Sequence, residues 1–136
     1  MRVRAMVIAV ALLIIIVCIV WAKMNYISVR FADEIALRYH YGDTQIDAAI
    51  TDDSEVSELK RILNGISFRD NLSCGFSMDV SITFSDGNKS ITLCPAAGDT
   101  CPFLRVNDSD RYIRISNKQR QQLANILEKY GMVLPC

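Results

Sequence analysis

A chain of 136 residues that is 51% hydrophobic has room for one folded domain rather than two. Its fifteen basic and fifteen acidic residues cancel, and beyond residue 23 twelve bases stand against fifteen acids. That balance excludes the dense basic surface that nucleic-acid binding requires.

The hydrophobicity is concentrated at the start. Residues 5–22 (AMVIAVALLIIIVCIVWA) contain no charge, proline or glycine. As a helix they would be about 27 Å long, close to the ~30 Å thickness of a bilayer's hydrocarbon. A buried helix of a small globule would carry a polar stripe, and this segment has none. A helix in lipid also satisfies its own backbone, so a membrane-inserted segment is expected. Arg2 and Arg4 precede it, and Trp21 near its end and Lys23 just after it serve as interfacial flanks. Residues 1–23 are therefore expected to be a retained signal-anchor whose partner is the lipid bilayer. Cleavage after Ala22 is the alternative, since Val20 and Ala22 are small residues of the kind a signal peptidase reads. Cys18 is read as one more apolar residue of the span.

The basic N-terminus favours a cytoplasmic start and an extracytoplasmic domain. The other four cysteines, Cys74, Cys94, Cys101 and Cys136, point the same way, because an oxidising compartment would pair them. Residues 24–32 are assigned as a juxtamembrane segment and 33–136 as the domain. Charge in the domain is uneven: six acids and no Lys or Arg lie between Tyr39 and Leu59, while six bases face three acids from Arg105 to Lys129.

Within the domain, residues 33–50 read as a hairpin. Ile35, Leu37 and Tyr39 alternate with polar or small residues, and Gly42-Asp43 suits a two-residue type II′ turn. The register then pairs Tyr39 with Ile46, Leu37 with Ala48 and Ile35 with Ile50, all on one face. A helix follows at about 53–64, with Asp52 as cap and Glu55 as its capping-box partner. Val56, Leu59, Ile62 and Leu63 form its apolar stripe, and Asn64-Gly65 supplies a left-handed stop. A second hairpin is expected at 76–94, closed by Asp86-Gly87 in a type I′ turn, with Ile82 opposite Ile91 and Val80 opposite Leu93. Short strands at 103–106 and 111–115 precede a last helix at about 117–130. Ser116 and Gln119 form its capping box, Leu123, Ile126, Leu127 and Tyr130 face inward, and Gly131 ends it. The expected fold is α+β: an antiparallel sheet built from hairpins, with two amphipathic helices on one face, preceded by one transmembrane helix.

The cysteines are expected as structural disulfides. The hairpin register brings Cys74 toward the loop that carries Cys101, which leaves Cys94 for Cys136. Cys94–Cys101 with Cys74–Cys136 is the competing connectivity. No C-x-x-C pair suggests redox catalysis, and the wide spacing does not suit a zinc site, so no metal or cofactor is expected. His40 is the only histidine, on the polar side of its strand. Neither a nucleophile elbow nor a glycine-rich phosphate loop is present, so no catalytic residue is assigned. Ser77, Asp79, Ser81, Thr83, Ser90 and Thr92 form a hydroxyl-rich strand face. An ordinary water-facing sheet surface is the simpler reading of it, and a recognition surface is the other.

Cys74-Gly75-Phe76, Cys94-Pro95, Thr100-Cys101-Pro102, Tyr130-Gly131 and the closing Pro135-Cys136 form a spaced pattern that resembles small exported or membrane-anchored proteins of Gram-positive bacteria. The resemblance spans about 33–136. It implies a cell-surface setting and the cysteine framework, and supplies no activity. The function expected is a membrane-tethered, non-enzymatic extracytoplasmic binding domain, with a cell-envelope protein as candidate partner. A small extracytoplasmic hydrolase or thiol-redox accessory is the alternative.

Overall fold

A computed structural model describes residues 2–98 and 100–134, with the side chain of Arg2 left aside. The first element, α1 (Arg2–Asn25), is helical throughout, and the side chains of its span are exposed rather than packed on the domain. It is long and apolar enough to cross a membrane. Its last residue leads directly into β1 (Tyr26–Ile27), which pairs antiparallel with β4 (Gly65–Ile66). The expected juxtamembrane segment 24–32 therefore also belongs to the domain, and Val29 and Ala32 are fully buried in its core.

The main sheet has seven strands, all antiparallel, in the order β3-β2-β6-β7-β8-β9-β5. These are β2 (Glu34–Tyr41), β3 (Thr44–Ile50), β5 (Phe68–Arg69), β6 (Val80–Ser85), β7 (Ser90–Pro95), β8 (Phe103–Val106) and β9 (Arg111–Arg114). Two helices, α2 (Asp53–Ile62) and α3 (Asn117–Glu128), complete the domain. Leu59, Ile62 and Leu63 from the α2 region and Leu123 and Leu127 from α3 join Ile35, Leu37, Ile82, Phe84 and Leu93 in one core. The fold is α+β, as the apolar periodicities require.

The first hairpin has the expected register, Ile35 opposite Ile50, Leu37 opposite Ala48 and Tyr39 opposite Ile46. Gly42 has φ +60° and Asp43 does not share the positive φ, which is the type II′ pattern. The second hairpin differs by two residues: Ile82 pairs with Leu93 and Phe84 with Ile91. The loop is Asp86-Gly87-Asn88-Lys89, because the Asp86 carboxylate accepts the backbone N–H groups of both Asn88 and Lys89. A side chain that mimics a turn in this way outweighs the two-residue Asp-Gly preference. A slip of two preserves the faces, so the buried set is unchanged.

At α2 the expected N-cap forms, while the capping-box return bond and the glycine stop do not. Asp52 caps the helix, accepting from Ser54 and Glu55, yet Glu55 does not reach back to it. Gly65 has no positive φ and enters β4. The Asn64 side chain terminates the helix, donating to the carbonyls of Lys60 and Arg61. At α3 the capping box of Ser116 and Gln119 forms. Gly131, at φ +85°, closes that helix in a Schellman motif, with Met132 N–H to the Leu127 carbonyl and Gly131 N–H to Glu128. The tail after it packs inward through Met132 and Leu134.

Candidate functional site

The sheet's second face is covered over half its width. After β5 the chain crosses this face as a largely irregular segment, 70–79; of the strand expected from residue 76 only an isolated antiparallel bridge between Phe76 and Ala96 forms before β6. Ser77 and Asp79 lie in its last turn, with Asp79 N–H donating to Ser77 Oγ. The segment is fixed by a disulfide between Cys74 and Cys101, Cα atoms 6.0 Å apart, the first of the expected bridges. Beneath it, Tyr112 is buried between Phe76 (ring centroids 5.3 Å apart) and Phe68 (6.0 Å), and Phe68 meets Phe103 edge-on at 5.5 Å. The hydroxyl-bearing strand face differs from expectation: Ser81 Oγ donates to the Met78 carbonyl of this segment, and Thr92 N–H donates to the Asn107 side chain. Of the expected hydroxyl face, Ser81 and Thr92 are buried, Thr83 is half-buried with its Oγ1 3.0 Å from that of Thr92, and Ser90 stays exposed. It is not a simple water-facing surface.

Cys94 lies on the same face, fully buried, its Sγ 3.5 Å from the Met78 thioether. Its thiol is free, so the expected bridge to Cys136 is absent at this end; Cys136 itself lies outside the described residues. Burial pushes the Cys94 thiol up, against the smaller opposing pull of the Arg105 guanidinium. Because the thiolate is the reactive form, this cysteine is held as an inert thiol.

The other half of the face is open. Here β3, β2 and β6 form the floor of a trough of about 430 Å³, lined by Ala36, Arg38, Asp47, Ala49, Met78, Ser81 and Thr83 among others. Pairing accounts for the hollow: Ala36 lies opposite both Ala49 and Thr83, so one row across three strands has only short side chains. The next row is tall, with Asp47 opposite Arg38 and Arg38 opposite Ser81. Arg38 donates to Asp47 at 3.4 Å, and His40 Nε2 lies 2.8 Å from the second Asp47 oxygen. The His40 hydrogen bond, with Arg38 behind it, draws the Asp47 carboxyl below the usual carboxylate range. Past the alanines the trough opens into a second hollow of about 540 Å³, which shares Ala36 and Ala49 and is lined at its far end by Asp33, Glu34 and Asp53. β3 is an outer strand of the sheet, and among the described residues no strand pairs with its other edge, which runs beside the trough.

Chemically, this arrangement is an open cleft of mixed character. It offers apolar contact at the two alanines and Met78, hydroxyls at Ser81 and Thr83, a basic-acidic pair at one end and carboxylates at the other. Among the described residues no group of three or more His, Cys, Asp or Glu is placed to hold a metal ion. Of the expected recognition residues, the structure brings only Ser81 and Thr83 to the trough wall. Ala36, Ala49, Arg38 and Asp47 were missed, although the register of the first hairpin already placed both alanines opposite each other on the outward face.

Arg4, Trp21 and Lys23 lie on α1 and are exposed. Comparison of the chain with protein-family models, curated proteins and solved structures finds no match.

Proposed function

We propose that this protein is a membrane-tethered binding module that displays the trough, and the free edge of β3 beside it, outside the cytoplasm. The observation that carries the reading is the open row of Ala36, Ala49 and Thr83 beside a strand edge with no partner strand among the described residues, on a sheet face otherwise covered by the 70–79 segment. Strand edges recognise extended polypeptide by completing the backbone ladder, while the adjacent hollow selects side chains. The ligand class this geometry favours is therefore an extended segment of a cell-envelope protein. Disulfide-linked Cys74 and Cys101 support the extracytoplasmic placement, as do the bases at the start of the chain. The thiol-redox alternative draws no support from Cys94, whose burial suppresses the thiolate.

Photo-crosslinking in intact membranes tests the reading. A benzophenone side chain at Ala49 should give an adduct of one discrete mass, lost when Ala36→Arg fills the trough. The same probe at Lys118, on the outer side of α3, should give none of that mass. Equal adducts at both positions would reject the trough as a binding surface.

A further inference from the structure

The junction between α1 and the domain is built as a contact surface of its own. The Asn25 carbonyl, at the helix end, accepts from both the backbone N–H (2.7 Å) and the hydroxyl (2.8 Å) of Ser67. Ser67 is buried, and its hydroxyl also accepts from Arg111 at 2.7 Å. The helix thus enters the domain through a pinned joint, without a free linker. Beside that joint two apolar side chains lie in the open: Tyr26, 48% exposed, and its cross-strand partner Ile66, 49% exposed.

Their depth follows from α1. If Ala22 marks the hydrocarbon boundary, Tyr26 lies four residues beyond it, about 6 Å at helical rise. The headgroup layer on each side of a bilayer is roughly 5–8 Å deep. Tyr26 therefore lies within that layer, and strand pairing holds Ile66 beside it. Trp21 and Met24, both exposed, precede Tyr26 on α1, which runs into β1 without a break. The neighbouring charges are mixed: Lys23, Arg69 and Arg111 against Asp70 and Asp110, with Arg69 paired to Asp110 at 3.6 Å. Such a patch gains little from anionic lipid and most from apolar insertion.

We infer that the β1–β4 ribbon is a membrane foot: Tyr26 and Ile66 insert into the interfacial layer of the bilayer and hold the domain in one orientation over it. The occupant of this apolar patch is lipid, because the patch is continuous with the helix that enters the lipid. The inference rests on α1 as a membrane span, and the test separates the two. The unaltered full-length chain is reconstituted into phosphatidylcholine vesicles with brominated acyl chains. Its only tryptophan, Trp21, reports insertion of α1 by quenching. In a Trp21→Phe background, Ile66→Trp should show blue-shifted emission and quenching comparable with that of Trp21. Gln45→Trp, on β3 at the edge of the main sheet opposite β5, should show neither. Addition of phosphatidylglycerol should change the Ile66→Trp signal little. Quenched Trp21 with unquenched Ile66→Trp would overturn the foot while leaving the span standing. Quenching of Ile66→Trp only in the presence of phosphatidylglycerol would overturn it equally. Unquenched Trp21 would remove the span on which it depends.

Discussion

A carboxylate in the first turn of α2 ties the domain's two helices together. Glu55 is buried and accepts from Lys129 Nζ and Tyr130 Oη, each at 2.7 Å. These two hydrogen bonds hold the Glu55 carboxyl below its usual range. A lowered folded value means that its contribution is present above the unfolded carboxylate range, near pH 4.3, and is lost as pH falls through the folded value. Tyr130 is affected in the opposite sense, its phenol pushed up to about 12 chiefly by the bond to Glu55. Its contribution is complete below the unfolded value near 10 and is lost as pH rises toward 12. Tyr130→Phe should therefore lower stability at neutral pH and flatten the alkaline decline. Part of that decline will remain, because Lys129 is raised by the same carboxylate. Urea midpoints across pH measure this, and identical alkaline profiles for the two chains would contradict it. Next along the chain, Gly131 combines φ +85° with a built Cβ 2.9 Å from Ile46 Cδ1. Gly131→Ala should cost about 1–3 kcal/mol, mostly from the left-handed backbone, since the Ile46 methyl can move.

The hairpins show what alternation and turn chemistry can each specify. Phe84 is fully buried against Ile91, so Phe84→Ala should cost about 3–5 kcal/mol. A double-mutant cycle should show stronger coupling of Ile91 to Phe84 than to Ile82; the reverse would restore the two-residue loop. Asp86→Ala should destabilise more than Asp86→Asn, which keeps an acceptor for the loop N–H groups. Apolar alternation was enough to identify β2, β3, β6 and β7, their core-facing sides and the first register, because period-two patterning punishes a slip of one; the short strands β1, β4 and β5 carry too few residues to show it. It is blind to a slip of two, and the preference of Asp86 for the Asn88 and Lys89 N–H groups decided that point. Helix ends were half legible. Ser116 with Gln119 behaved locally, whereas Glu55 was captured by a residue 75 positions away, which no local pattern announces. The trough leaves little trace in sequence, because it is made by short side chains, Ala36, Ala49 and Thr83, and not by a polar motif.

At the scale of the molecule, the covering segment 70–79 is the element least visible in sequence, since its residues alternate like a strand yet fold as a layer. Its bridge joins positions 27 apart. Removing that bridge with Cys74→Ser and Cys101→Ser should cost about 3–4 kcal/mol by loop-closure entropy. The same change should open Cys94 to alkylation in the native state, and continued protection of Cys94 would show that the aromatic core holds the cover alone. All of this matters to function only if the domain stands outside the cytoplasm. Ser57 is exposed on α2, and Ser57→Cys in a Cys136→Ser background gives that question one reporter. A membrane-impermeant maleimide applied to intact cells should label it fully, on a chain that still carries α1. Labelling only after lysis would place the domain in the cytoplasm and contradict the account.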